Sequence, residues 1–184
     1  GVAHLRMNRP ERRNAMTLAF WRELPEIVRR LDARALVISS TGPHFTAGMD
    51  LSVFAQSTLA TGTVDERRAF RAKLEELQQS FHAIAEAPFP VIAAVQGGCI
   101  GGGVDLVTAC CLRYATRDAW FVIQEINIGM MADVGTFNRM PKQIPEAVVR
   151  ELGYTGDRLG AETPLMREAL ANIRLAFVQI KGAG

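Results

Sequence analysis

Three acidic side chains stand where charge is otherwise scarce. Asp105 interrupts the apolar run Val104-Asp105-Leu106-Val107, while Glu125 and Asp133 flank Ile126-Asn127-Ile128-Gly129-Met130-Met131-Ala132. A carboxylate buried without a partner is costly, so Asp105 either reaches a partner or lines a cavity. Carboxylates gathered at one place can take up and return protons in general acid–base chemistry. Taken singly, each has an ordinary reading as well. Asp133 precedes Val134-Gly135-Thr136 and can cap a helix, and Glu125 alone is uninformative.

Two loops offer a second kind of chemistry. The run Gly97-Gly98-Cys99-Ile100-Gly101-Gly102-Gly103 follows an apolar strand and leads into a helix. Its glycines do not fit the G-x-G-x-x-G dinucleotide fingerprint, and no Gly-Lys-Ser or Gly-Lys-Thr marks a P-loop. What remains is backbone able to approach a ligand closely at a helix N-terminus, where free N–H groups favour negative charge. A close-packed helix–strand junction explains the glycines equally well. The loop Phe45-Thr46-Ala47-Gly48-Met49-Asp50-Leu51 follows another apolar strand. In α/β folds ligands gather at such strand ends. One N–H from each loop, converging on one oxygen, would make an oxyanion hole.

Other chemistries find little support. No H-E-x-x-H or Cys/His zinc spacing occurs, so a metal is not expected, and His4, His44 and His82 fall on a strand, a loop and a helix face with no nucleophilic triad. The 184 residues carry 21 basic and 19 acidic side chains, a balance too even for an obligate nucleic-acid binder. Residues 1–34 are more basic, with eight Arg against four acids, which reads as a solvated face or as a site for a phosphate-rich small ligand. The longest apolar stretch, Phe89 to Leu112, is broken by Pro90, Gln96, five glycines and Asp105, so no membrane span is expected, and Gly1 leads directly into an alternating, strand-like segment, so no secretory signal is expected. Cys99, Cys110 and Cys111 form no CxxC pair and no even disulfide framework. The two adjacent thiols are expected to pack as small apolar groups, and a reducing, cytoplasmic home is expected.

The elements that must position these groups alternate between strand and helix, which argues for one α/β domain. Val2 to Met7 alternates like a half-buried strand, and Ala35 to Ser40 and Val91 to Val95 are short apolar runs suited to buried strands. Further strands are expected at Leu112 to Ala115 and Ala119 to Ile123. Thr17 can cap a helix running to about Leu31, with Pro25 inside it as a source of a kink or a late start. From Asp65 to Ala87 the stripe Phe70, Leu74, Leu77, Phe81 and Ile84 predicts a helix facing the core. A helix follows from about Gly102 to Cys111, and a helical region closes the chain. The link from Arg29 to Ala35 is tight for a helix-to-strand crossover, and no internal repeat is visible.

Together the loops and acids resemble the crotonase, or enoyl-CoA hydratase/isomerase, superfamily. Asn8-Arg9-Pro10-Glu11-Arg12-Arg13-Asn14-Ala15-Met16 is similar to its opening N-R-P-x-x-x-N-A signature, and the two loops are similar to its first and second acyl-CoA loops. The likeness runs from about Val2 to Gly156. Within the family, acids at Asp105, Glu125 and Asp133 and the segment Ala132-Asp133-Val134-Gly135-Thr136 most resemble dienoyl-CoA isomerases. Two departures stand out: Cys111 replaces an aspartate common at the matching position, and the C-terminal pattern is hardly recognisable after Glu162.

The resemblance implies an α/β spiral of ββα units over residues 1–156, then a helical segment over 157–184 that would carry homotrimer or dimer-of-trimers contacts. It implies that the Met49 and Gly102 amides bind the thioester oxygen, that Ala47, Gly48, Met49, Asp50, Leu51 and Gly102 line the acyl-CoA path, and that the arginine-rich opening meets CoA phosphates. Asp133 and Glu125 suit the base and the acid of a 3,5- to 2,4-dienoyl-CoA isomerisation in β-oxidation, either order being open, with Asp105 tuning Glu125. Coenzyme A would be part of the substrate and no separate cofactor is expected. Enoyl-CoA hydration and silent acyl-CoA binding are the alternatives.

Overall fold

The computed structural model describes residues 1–53, 62–164 and 166. Four strands, β1 (Val2–Met7), β2 (Ala35–Ser40), β3 (Val91–Val95) and β5 (Leu112–Ala115), form one parallel sheet in the order β1-β2-β3-β5. Val2 pairs with Ala35, Leu36 with Val91 and Ile92 with Leu112. A smaller sheet holds β4 (Gly98–Ile100), β6 (Trp120–Val122) and β7 (Leu159–Gly160), with β4 parallel and β7 antiparallel to β6. The crossovers are α1 (Leu18–Arg30), α2 (Val64–Ala85) and α3 (Gly102–Ala109), and short α4 (Thr136–Arg139) and longer α5 (Glu146–Thr155) follow β6.

This order is the spiral. From β3 the chain steps to β4 and then to α3, and β5 steps to β6. Earlier turns make the second step with single bridges, Thr46 to Cys99 and Met16 to Met49. A repeat of ββα units therefore exists in space although none shows in sequence, because each turn satisfies the same hydrogen-bonding geometry with different side chains. Phe45, Phe81, Met16, Leu24, Leu36, Ile38, Ile84 and Leu106 are fully buried between the layers.

Most elements lie where periodicity places them, and four differ. First, the glycine run is not all loop. Gly98–Ile100 is a strand, and no side chain fits at Gly98 because a Cβ there would come within 2.7 Å of the Trp120 ring. Second, the segment expected to be helical from residue 157 opens with β7, which pairs with Trp120 and Phe121. The rest of that segment, with the expected trimer contacts, lies outside the described residues apart from its first turn. Third, Cys111 is exposed, accepting a hydrogen bond from the Val91 amide at Sγ (3.4 Å), while Cys110 is buried as expected. Fourth, α1 starts at its Thr17 cap and runs through Pro25. A proline here removes the N–H that would bond the Trp21 carbonyl one turn earlier. Ser80 of α2 replaces it, its hydroxyl donating to that carbonyl at 2.5 Å.

The short crossover to β2 also has an explanation, since the Arg34 amide donates to the Gly1 carbonyl at 2.7 Å and lets β2 begin directly beside β1. Removing the Ser80 hydroxyl would strand a buried carbonyl. Ser80→Ala is expected to lower unfolding stability by about 1–3 kcal/mol, read from the urea midpoint.

Candidate active site

Gly48 is the point of closest approach between the first loop and α3. Its φ is +82°, and a Cβ there would lie 2.6 Å from the Ile100 carbonyl oxygen and 3.2 Å from the Gly102 nitrogen. The loop can therefore press its backbone against the start of α3 only with glycine at this position. A carbon added at Gly102 would sit 3.7 Å from the Met49 nitrogen, so the two amides are neighbours across the gap. Gly102 opens α3, and first-turn amides have no acceptor within their own helix. On either side of Met49 the amides are used, Gly48 donating to Thr46 Oγ1 (3.1 Å) and Asp50 to the Met16 carbonyl (2.9 Å), whereas the Met49 amide has no partner among the described residues.

The N-terminal signature holds this loop. Asn14, 3% exposed and at φ 54°, accepts from the Arg9 amide and donates from Nδ2 to the carbonyls of Thr41 (2.7 Å) and His44 (3.0 Å). Its own carbonyl accepts from Thr46 Oγ1 at 2.7 Å. Met16 grips both sides of Met49, donating to the Gly48 carbonyl and accepting from Asp50. Asp50 takes the Ser52 amide and hydroxyl on Oδ1 and Arg9 Nη1 on Oδ2 at 3.3 Å. The Ser52 bonds, then Arg9, hold its carboxyl below the usual range, so Asp50 is a locked anion. Arg9 Nη1 thus also serves this framework, donating to the Ala15 carbonyl at 2.8 Å as well as to Asp50.

The three acids border one cavity of about 970 Å³, together with Met49 and Gly102. Asp105 is 1% exposed. Its Oδ1 accepts from the Thr136 amide (2.7 Å) and hydroxyl (2.8 Å), while Oδ2 is buried without a partner among the described residues. Burial pushes its carboxyl up to about 6 against the opposing Thr136 bonds. Glu125 is pushed up to about 7, by burial first and then by the Asp105 charge, and its Oε2 is also buried and unpartnered among the described residues. Half-buried Asp133 is raised by loss of water contact, and its backbone carbonyl accepts from Gln78 Nε2 of α2 at 2.7 Å. These shifts favour retention of a proton in the cavity near neutral pH. Among the described residues, no group of three His, Cys, Asp or Glu side chains is arranged to hold a metal ion.

Of the residues expected on the acyl path, Ala47, Met49, Asp50, Leu51 and Gly102 line the cavity. Gly48 does not; it lies behind, against Ile100 and Gly102, where its lack of a side chain lets the wall close. Arg12 and Arg13 are at the cavity wall with Lys73, which is paired to Glu76 at 2.8 Å. Glu11, Ser52 and Gln124 also line it, and the rest of the lining is apolar, including Trp21, Phe70, Leu74, Leu77, Met130 and Val134. Periodicity marked Phe70, Leu74 and Leu77 as core together with Phe81 and Ile84. Phe81 and Ile84 are core, Leu74 and Leu77 pack against the core and also line the cavity, and Phe70 lines the cavity. A stripe shows which side of a helix is apolar but not whether protein or a ligand covers it. Gln78 carries no local pattern that would have marked it, and Thr136 is marked only as the last residue of the segment Ala132 to Thr136.

Residues 1–167 match the family described as enoyl-CoA hydratase/isomerase. The chain is 46% identical over 172 residues to the mitochondrial Delta(3,5)-Delta(2,4)-dienoyl-CoA isomerase of Homo sapiens, covering 89% of this chain and 52% of that protein. It is 40% identical over 165 residues to the peroxisomal enzyme of the same description from Arabidopsis thaliana, covering 85% and 59%. Among solved structures, a Thermobifida fusca protein assigned as an enoyl-CoA hydratase, in complex with acetoacetyl-CoA, superposes with a TM-score of 0.81 at 28% identity. That match covers 97% of this chain and 71% of the other. The chain spans about half the length of the curated relatives it matches. The expected cytoplasmic home is overturned by these relatives, which are mitochondrial or peroxisomal. Free thiols report a reducing medium, and that does not single out the cytosol. Fold, loop geometry and sequence match agree: the chain belongs to the enoyl-CoA hydratase/isomerase family.

Proposed function

We propose that this chain isomerises a 3,5-dienoyl-CoA to the 2,4-dienoyl-CoA. The observation that carries the reading is the presence of a third acid, Asp133, in the same cavity as the Asp105–Glu125 pair and the two neighbouring amides. The likeness to dienoyl-CoA isomerases at 40–46% identity supports it. Coenzyme A enters as part of the substrate, and the proton transfers draw on the chain's own carboxylates.

The thioester oxygen is received by the Met49 and Gly102 amides. A proton beside a thioester is weakly acidic, so the charge reaching that oxygen must be stabilised as it forms; each such donor contributes roughly 10²–10³ in rate. Glu125 is assigned to C2, because its Oε1 would lie 3.1 Å from a Cβ at Gly101, immediately before the Gly102 amide. It removes the C2 proton, and the electron pair spreads through the diene onto the oxygen. Asp133, on the segment that follows, returns a proton at C6 as the oxyanion charge collapses back. One C–H bond breaks and one forms, the double bonds move from C3 and C5 to C2 and C4, and the proton count is unchanged. Asp105 shares its field with Glu125 and raises its proton affinity. The apolar walls from α2 and Trp21 hold the tail and keep water from the extended enolate.

Enoyl-CoA hydration is the second reading, favoured by the solved neighbours assigned as hydratases. There Asp105 and Glu125 would hold a water for addition, and Asp133 would have no part. Glu125→Gln and Asp133→Asn are therefore each expected to cut dienoyl-CoA turnover by roughly 10²–10⁴-fold with little change in KM. Undiminished turnover in both would refute the isomerase reading, and conversion of crotonyl-CoA to its hydroxyacyl product with no effect of Asp133→Asn would favour hydration. The pH profile follows from the shared proton. The cycle needs one acid ionised and another protonated, so it runs from the singly protonated pair, and kcat/KM should fall above about pH 7, where the coupled acids give up their last proton, approaching tenfold per unit. It should fall again in acid, where no base remains.

A further inference from the structure

Thr136 does two things to Asp105 that the proton-transfer scheme requires and that neither residue type announces. Both of its donors, the amide at 2.7 Å and the hydroxyl at 2.8 Å, converge on the single oxygen Oδ1. Oδ2 is left as the oxygen free to meet a proton or a second carboxyl, and it is buried with no partner among the described residues, as is Oε2 of Glu125. The same bonds also join two elements. Asp105 lies three residues after Gly102 on α3, and Thr136 lies three residues after Asp133 at the start of α4. One hydrogen-bonded pair thus ties the helix that carries an oxyanion amide to the segment that carries the third acid.

We propose that Thr136 is a positioning residue that orients Asp105, frees its Oδ2 toward Glu125, and sets the spacing between the Gly102 amide and Asp133. The inference rests on the isomerase reading above for its kinetic consequence, though not for its structural one. The charged and titratable groups acting on Asp105 are Glu125 and Asp133 from the segments after β6, Arg139 of α4, and the Cys99 thiol of β4. Arg139 is already committed, its Nη1 donating to the Val134 carbonyl at 3.2 Å. The hydroxyl of Thr136 is therefore the side-chain donor that supports the Asp105 anion directly, and its loss makes Asp105 keep its proton to higher pH.

Thr136→Val keeps the shape and removes the hydroxyl; Thr136→Ser keeps the hydroxyl and removes the methyl. For Thr136→Val the expected result is a loss of kcat of roughly tenfold or more on a 3,5-dienoyl-CoA with KM within about threefold, and an alkaline limb moved downward, because an Asp105 that keeps its proton no longer raises the proton affinity of Glu125. Thr136→Ser should restore both. A second readout needs no substrate: melting temperature at pH 5 and pH 8. The Asp105 anion exists mainly above its value of about 6, so the deficit of Thr136→Val against wild type should be larger at pH 8 than at pH 5. That pH dependence should vanish when the same change is made in an Asp105→Asn background. Should valine fold poorly, Thr136→Ala removes the same donor with less bulk. Equal melting deficits at both pH values, or an unmoved limb with unchanged kcat, would overturn the proposal. A wild-type chain inert toward dienoyl-CoA would instead sink the isomerase reading, leaving the melting comparison to decide the role of Thr136.

Discussion

Everything in this site depends on how closely two stretches of backbone approach. Gly48 presses against the Ile100 carbonyl and the Gly102 amide with no room for a side chain, and only that contact brings the Met49 and Gly102 amides together. Backbone donors cannot be moved by changing a rotamer, so their aim is set by everything that holds the loop. This explains why Asn14, Met16, Arg9 and Asp50 place so many hydrogen bonds on and around that loop. A donor pair fixed before substrate arrives needs no reorganisation when negative charge develops.

The acids are governed by the opposite constraint. Burial makes charge expensive, and it raises the proton affinity of all three carboxyl groups facing the cavity. The locked anion Asp50, in the lining of the same cavity, shows the contrast: it has three donors on it and its carboxyl is held below the usual range. Carboxylates in one lining thus divide, by burial and hydrogen-bond supply, into an anion held ionised and groups with raised proton affinity.

Element placement was largely legible in the sequence because local rules decide it. Apolar runs bounded by proline and glycine mark β2 and β3, and the Thr17 cap marks the start of α1. Where the reading failed, a distant partner decided. Pro25 is tolerated because Ser80, 55 positions on in the chain, supplies the missing bond. Gly98–Ile100 is a strand because β6 lies beside it, and β7 exists for the same reason. Cys111, read as packed, is exposed because the chain leaves α3 there for the edge of the sheet.

By itself, the sequence determined the α/β alternation, the two loops able to present free amides, and three acids placed where charge is otherwise avoided. Those follow from residue type and spacing, which act over a few positions. Only the tertiary structure decided that Met49 and Gly102 are neighbours, that Gly48 stands behind the wall rather than in it, and that Phe70, Leu74 and Leu77 line a cavity while Phe81 and Ile84 are core. It alone joined Thr136 to Asp105 and Gln78 to Asp133. Convergence of groups 30 to 55 residues apart is a property of packed backbone, and no short-range pattern encodes it.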